Sequence, residues 1–236
     1  VSLAAIYFRG YLIPYTPTLT KRYFPERVLR WFDKSPHSQE SAMEMDEGGF
    51  EERESLDVER ELVEKNLVTE CENREDLCLS PWFGDAWNRR IREISGNGNG
   101  IDSESYLGYI SEMLDVDEER LSIDAHDDSV VLYLDGRRAA FWESDAALLA
   151  DVSAERALND ELDSWDDYDV VNRSQLLSSL RIFLEECPSC GSPISMDTET
   201  VESCCRSIDV LAVTCDNDDC RKRLFEQEYT EEMLSQ

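Results

Sequence analysis

Four of the eight cysteines in this 236-residue chain stand as two close pairs near its C-terminal end. Cys187 and Cys190 enclose Pro188 and Ser189, and Cys215 and Cys220 enclose Asp216, Asn217, Asp218 and Asp219. Thiolate is the favoured donor of structural zinc, which takes four ligands at tetrahedral corners. A tight turn carrying two cysteines aims both sulfurs at one point. Pro188 fixes φ early in the first turn, and Gly191 permits the left-handed residue often needed just after it. The spacing therefore predicts a metal site with Cys187, Cys190, Cys215 and Cys220 as ligands. Cys204 and Cys205 lie between the pairs. They are alternative ligands for one place in the second pair, ligands for a second ion, or bystanders. Two disulfides among the four are the structural rival, which a reducing compartment disfavours.

The run Cys187-Pro-Ser-Cys190-Gly191 resembles the first knuckle of zinc-ribbon proteins, over about residues 185–227. The resemblance implies a structural zinc ion and a small β-sheet. The second pair, with four intervening residues, departs from the commonest ribbon spacing but stays within known ligand spacings. That insertion is wholly polar and is expected to bulge into solvent. Between the pairs, the branched apolar run Ile208–Thr214 predicts a strand that delivers Cys215.

Composition narrows what else the chain does. It carries 53 acidic against 23 basic residues, a formal charge of −30 and a pI near 4.2. The lysines are Lys21, Lys34, Lys65 and Lys222. Many carboxylates with few lysines resemble the proteins of salt-in halophilic archaea. In molar salt the Debye length is about 3 Å, so such self-repulsion is screened. Most carboxylates then belong to a solvated surface, and a pair of them is no sign of acid–base catalysis. The negative body also disfavours nonspecific DNA binding.

Catalytic signatures are lacking. The two histidines, His37 and His126, sit beside no plausible nucleophile, and the sequence has no HExxH, phosphate loop or dinucleotide fingerprint. His126, in Asp124-Ala-His-Asp-Asp128, reads as part of a polar turn rather than as a metal ligand. Gly96-Asn-Gly-Asn-Gly100 lacks phosphate-loop spacing. Four thiolates would fill a zinc sphere and leave no position for water. No apolar run approaches 18 residues, so no transmembrane helix is expected. The start of the chain lacks signal-peptide character, and a cytoplasmic location is the expectation.

The elements that must position the cysteines are read in chain order. Residues 1–35 form a basic arm of net charge +4 that holds eight of the chain's 22 aromatics. It folds back onto the acidic body, or anchors a protein partner through Arg9, Tyr11, Arg22 and Trp31, or touches nucleic acid or a membrane surface. The partner reading ranks above nucleic acid, and membrane contact ranks last. Residues 36–80 read as an acidic linker with a short helix over 56–67, in which Cys71 and Cys78 are loop thiols. Residues 81–158 read as a small α+β domain. It has an amphipathic helix with Asp85 as its cap, a helix over 103–114, a three-stranded meander turning at Asp135-Gly136, and a helix over 145–157. Residues 159–185 are an acidic segment with a connecting helix over 174–184 that runs into Cys187. Residues 186–228 are the zinc module and 229–236 a tail.

The expected fold is α+β: a small antiparallel β-meander with flanking helices, followed by a C-terminal zinc ribbon. The expected function is that of a non-enzymatic, zinc-binding adaptor or regulator acting through protein–protein contacts. The alternatives are a nucleic-acid-associated factor using the arm with Arg221 and Arg223, and an enzyme with an unfamiliar site.

Overall fold

A computed structural model describes residues 56–71, 76–96, 103–126, 129–203 and 206–228. The arm, most of the linker, the glycine loop, Cys204, Cys205 and the tail lie outside the described residues. Five α-helices and three small antiparallel sheets are present among the described residues, so the fold is α+β.

The elements run α1 (Val58–Glu64), β1 (Val68–Glu70), β2 (Leu77–Leu79), α2 (Pro81–Ser95), α3 (Leu107–Leu114), β3 (Leu121–His126), β4 (Ser129–Leu134), β5 (Arg137–Trp142), α4 (Asp145–Glu161), α5 (Val170–Leu180), β6 (Ile194–Ser203), β7 (Arg206–Cys215) and β8 (Arg223–Glu228). The sheets have the orders β1-β2, β3-β4-β5 and β6-β7-β8, all antiparallel. Asp135 and Gly136 both take positive φ, 52° and 75°, as a two-residue turn matched to strand twist requires.

Helix α4 is the centre of the body. Ala146, Ala147, Leu148, Leu149, Ala150, Val152, Ala154, Ala157 and Leu158 are all buried. A helix buried over most of its circumference belongs in a core, and α4 buries Asp151, Ser153 and Glu155 as well. Phe83, Trp87, Ile91 and Ile94 form the buried stripe of α2. Trp87 Nε1 donates to the Ala150 carbonyl and to Ser153 Oγ, both at 3.0 Å, which satisfies the indole inside this packing. The basic cluster on α2 is salt-bridged, with Arg89 to Glu161 at 3.2 Å and Arg90 to Glu93 and Asp160.

Three expectations are corrected. Helix α2 starts at Pro81 with Ser80 as its cap, not at Asp85; proline suits the first helical position because its missing N–H has no partner there. Helix α5 begins at Val170 and ends at Leu180 instead of covering 174–184, because Asp169 caps it by accepting from Asn172 N at 2.8 Å. Cys71 and Cys78 are not loop thiols. They form a disulfide between Cα atoms 5.2 Å apart, bracing the hairpin β1-β2, where Cys78 pairs with Thr69. No helix among the described residues is long and apolar enough to cross a membrane.

The body and the C-terminal sheet are joined by a buried cation. Arg181, only 4% exposed, donates from Nη1 to Glu143 Oε2 at 2.6 Å and to the Leu224 carbonyl of β8 at 2.6 Å. Its Nε lies 3.1 Å from Asp151 Oδ1, an ion pair that lacks hydrogen-bond direction. Trp142 Nε1 donates to the other Asp151 oxygen at 2.8 Å. Burial pushes the Asp151 carboxyl up to about 6, against the pull of Arg181 and Trp142. Replacing Arg181→Met strands Glu143 and Asp151 side by side, so the urea midpoint should fall by about 3–5 kcal/mol equivalent at pH 8. A carboxyl raised in the folded state binds protons more tightly there than when unfolded, so its penalty grows as pH rises through that range. The R181M loss should therefore shrink at pH 4; an equal loss at both values would contradict this account.

Candidate metal centre

Two turns bring the four sulfurs together, and they share a backbone plan. In the first, the amides of Cys190 and Gly191 both donate to the Cys187 carbonyl, at 3.3 and 2.8 Å, and Gly191 takes φ +70°. In the second, the amides of Cys220 and Arg221 both donate to the Asn217 carbonyl, at 2.9 and 2.8 Å, and Arg221 takes φ +45°. The second turn is thus the same knuckle with Asn217 where the first has cysteine. Its other sulfur comes from Cys215, the last residue of β7. The wider second spacing is a shift of one ligand from the turn onto the end of a strand.

Asn217 is more than a spacer. It is half-buried, its Oδ1 accepts from the Asp219 amide at 3.0 Å, and its Nδ2 donates to Ser192 Oγ at 3.2 Å. Ser192 in turn lies against Cys190. The two knuckles are linked through side chains as well as through sulfur. Asp216, Asp218 and Asp219 are exposed, so only Asn217 departs from the expected solvent bulge.

The sulfurs of Cys187, Cys190, Cys215 and Cys220 all lie within 4.8 Å of one another. Cys190 and Cys215 approach to 3.4 Å, and Cys187 and Cys220 to 3.9 Å. A zinc–sulfur bond of about 2.3 Å gives a tetrahedral edge of about 3.8 Å. The cluster therefore has the donor type, number and spacing that zinc takes in structural sites. Cys187 and Cys215 are buried, Cys220 is half-buried and Cys190 is exposed.

Electrostatics within the cluster favour a cation. Burial pushes the Cys187 thiol far above its ordinary value, although amides of Ser189 and Cys190 point at it. Burial also raises Cys215, to about 11. At Cys190 burial opposes ionisation too, but hydrogen bonds from Ser192 and Cys215 outweigh it, and the thiol falls to about 6. One negative charge is tolerated in this space; several thiolates require a positive centre. A bound divalent ion would supply that centre and hold the two knuckles closed.

The remaining candidate residues sit elsewhere. Arg221 pairs with Asp218 at 3.1 Å, Lys222 with Asp145 at 3.4 Å, and Arg223 with Glu199 and Glu226, both at 2.6 Å. His126 is exposed on β3, with Nδ1 3.0 Å from Asp124, and no metal-holding group forms around it among the described residues. Cys204, Cys205, Arg9, Tyr11, Arg22 and Trp31 fall outside the described residues. Sequence reasoning missed Asn217, whose signal was available: it stands three residues before Cys220, as Cys187 stands before Cys190. It also missed Ser144, which caps α4 by accepting from Ala147 N and donates Oγ to the Arg223 carbonyl at 2.5 Å.

Residues 57–182 match the central domain of a family of unknown function (DUF8054). The chain belongs to this family. Residues 1–35 match the family's N-terminal domain and residues 185–227 its C-terminal domain. No curated protein and no solved structure matches the chain.

Three outcomes check the centre. Cys190→Ser should lose bound zinc and the protection of β7 amides, while the C204S/C205S double variant keeps both; metal content by mass spectrometry decides. Binding releases thiol protons, so acid competes with the ion, and zinc retention should fall as pH drops toward 5. Asn217→Ala should keep one site per chain but weaken its zinc affinity about tenfold or more, as loss of a ligand-orienting neighbour does. An unchanged affinity in a competition titration would show that Asn217 plays no part.

Proposed function

We propose that this chain is a zinc-stabilised, non-enzymatic interaction protein, in which the ion holds the C-terminal sheet as a zinc ribbon and the protein acts by contact with a protein partner. The observation that carries the reading is the all-cysteine character of the cluster, with four sulfurs within 4.8 Å of one another. Four thiolates complete a zinc sphere and leave no site for water or substrate, which is the mark of a structural ion. The ligands on this reading are Cys187, Cys190, Cys215 and Cys220.

The rest of the described surface supports binding over catalysis. The large groove between the two three-stranded sheets is lined mainly by aliphatic side chains, and its buried charges Arg181, Glu143 and Asp151 are tied to one another. A nucleic-acid role for Arg221 and Arg223 gains no support, since both guanidiniums sit on carboxylates in a chain of net charge −30. That charge also fits work in high salt, where surface repulsion is screened.

Cobalt(II) substituted for zinc in the full chain tests the closed sphere. A tetrathiolate site gives visible absorption of tetrahedral cobalt, and added azide should leave it unchanged. A spectral change on azide addition would reveal an open coordination position and turn the reading toward a metalloenzyme.

A further inference from the structure

The outer strands of two sheets face one groove. Of the described residues, β5 contributes Ala139 to Trp142 and β8 contributes Phe225 to Glu228 to a cavity of about 950 Å³. Each strand is the last in its sheet order. The lip is apolar. Val170, Val171 and Val201 line it and are 54%, 56% and 40% exposed, three of the four exposed large hydrophobic residues in the described chain. Concentration of exposed valines at one rim marks a surface that something covers.

Charge and connectivity single out the occupant. Of the lining carboxylates, Glu143 and Asp151 are held by Arg181 and Glu226 by Arg223, so the attraction comes from the acidic body as a whole, residues 36–236 carrying −34. Residues 1–35 carry +4 and eight aromatic rings, the complement in both sign and character. The described chain begins at Leu56, and Val58 in the first turn of α1 already lines the groove. Twenty residues, 36–55, separate the arm from that point. A coil of that length spans roughly 25 Å, enough to bring the arm back to the lip. Such a tether sets a local concentration in the millimolar range, which a separate partner must exceed.

We propose that residues 1–35 fill this groove in the same chain, their aromatic side chains against Val170, Val171 and Val201 and their basic residues toward the acidic surface around it. A protein partner that uses either the arm or the groove must then displace this contact. The inference goes beyond the metal-stabilised scaffold and is independent of it, since zinc content is expected to be the same whether or not the arm docks.

The full chain, with the photoreactive residue benzoylphenylalanine in place of Val171 or, in a second sample, of Val201, tests it. Light and heavy isotope-labelled copies are mixed before irradiation at molar salt, with zinc content and circular dichroism verifying the fold. The expected result is cross-linking from both positions to peptides within residues 1–35 of the same copy. Replacing Tyr11→Ala and Trp31→Ala together should lower that yield by roughly fivefold or more, as loss of aromatic anchors does. Cross-links only to residues 56–236, light-to-heavy pairs showing that a second copy fills the groove, or no cross-link at either position would each overturn the proposal.

Discussion

Arg181 is the charge around which the two halves of this protein meet. It is held by Glu143 and Asp151 of the body, and it reaches the Leu224 carbonyl on the last strand of the cysteine-bearing sheet. An ionised guanidinium in a dry interior is costly unless its donors are matched, and a buried pair broken on one side costs more than the pair ever contributes. Arginine suits the place because its planar fork serves several acceptors from one rigid head, which a lysine ammonium cannot copy. The interaction is therefore directional, and it fixes where β8 lies against the start of α4. Ser144 repeats the connection one residue away in β8, donating to the Arg223 carbonyl while capping α4. Lys222 adds a third tie to Asp145.

These ties fall immediately after Cys220, which gives them a role in the metal centre. The Lys222 carbonyl accepts from the Cys215 amide at 3.0 Å, so the segment held by the body is the one that positions the strand end bearing a ligand. A sheet of about forty residues has little core of its own and ordinarily needs a metal, a disulfide or a partner surface. Here the cluster closes one end of the sheet and the body covers it near Leu224 and Phe225, both buried. The hairpin β1-β2 solves a similar problem by a different route, through the Cys71–Cys78 bond. Two short strands of three residues each cannot stand alone.

The parts of the fold that local chemistry decides were legible in the residue order. Asp135-Gly136 announced its turn because both positions need left-handed backbone, and the alternating strands beside it followed. The four clustered sulfurs were readable because a metal-binding turn leaves its spacing in the chain. What could not be read depended on distant partners. Whether Cys71 and Cys78 face each other is set by the register Thr69–Cys78, which short strands do not advertise. The start of α5 was missed because Val170 and Val171 are exposed, so the apolar period begins only at Leu176 while the Asp169 cap sets the true start. Arg181 carried no sequence sign of burial, since its acceptors lie 38, 30 and 43 positions away.

The same logic explains why the groove follows from the fold. A three-stranded meander ends in an edge at β5, and the cysteine-bearing sheet ends in an edge at β8. Arg181 brings Glu143, just beyond β5, within 2.6 Å of the guanidinium that also grips β8. Residues of both strands thereby line one space, together with residues of α5. A mainly aliphatic groove beside the ion cluster of Arg181, Glu143 and Asp151 thus follows from the strands that one arginine ties together.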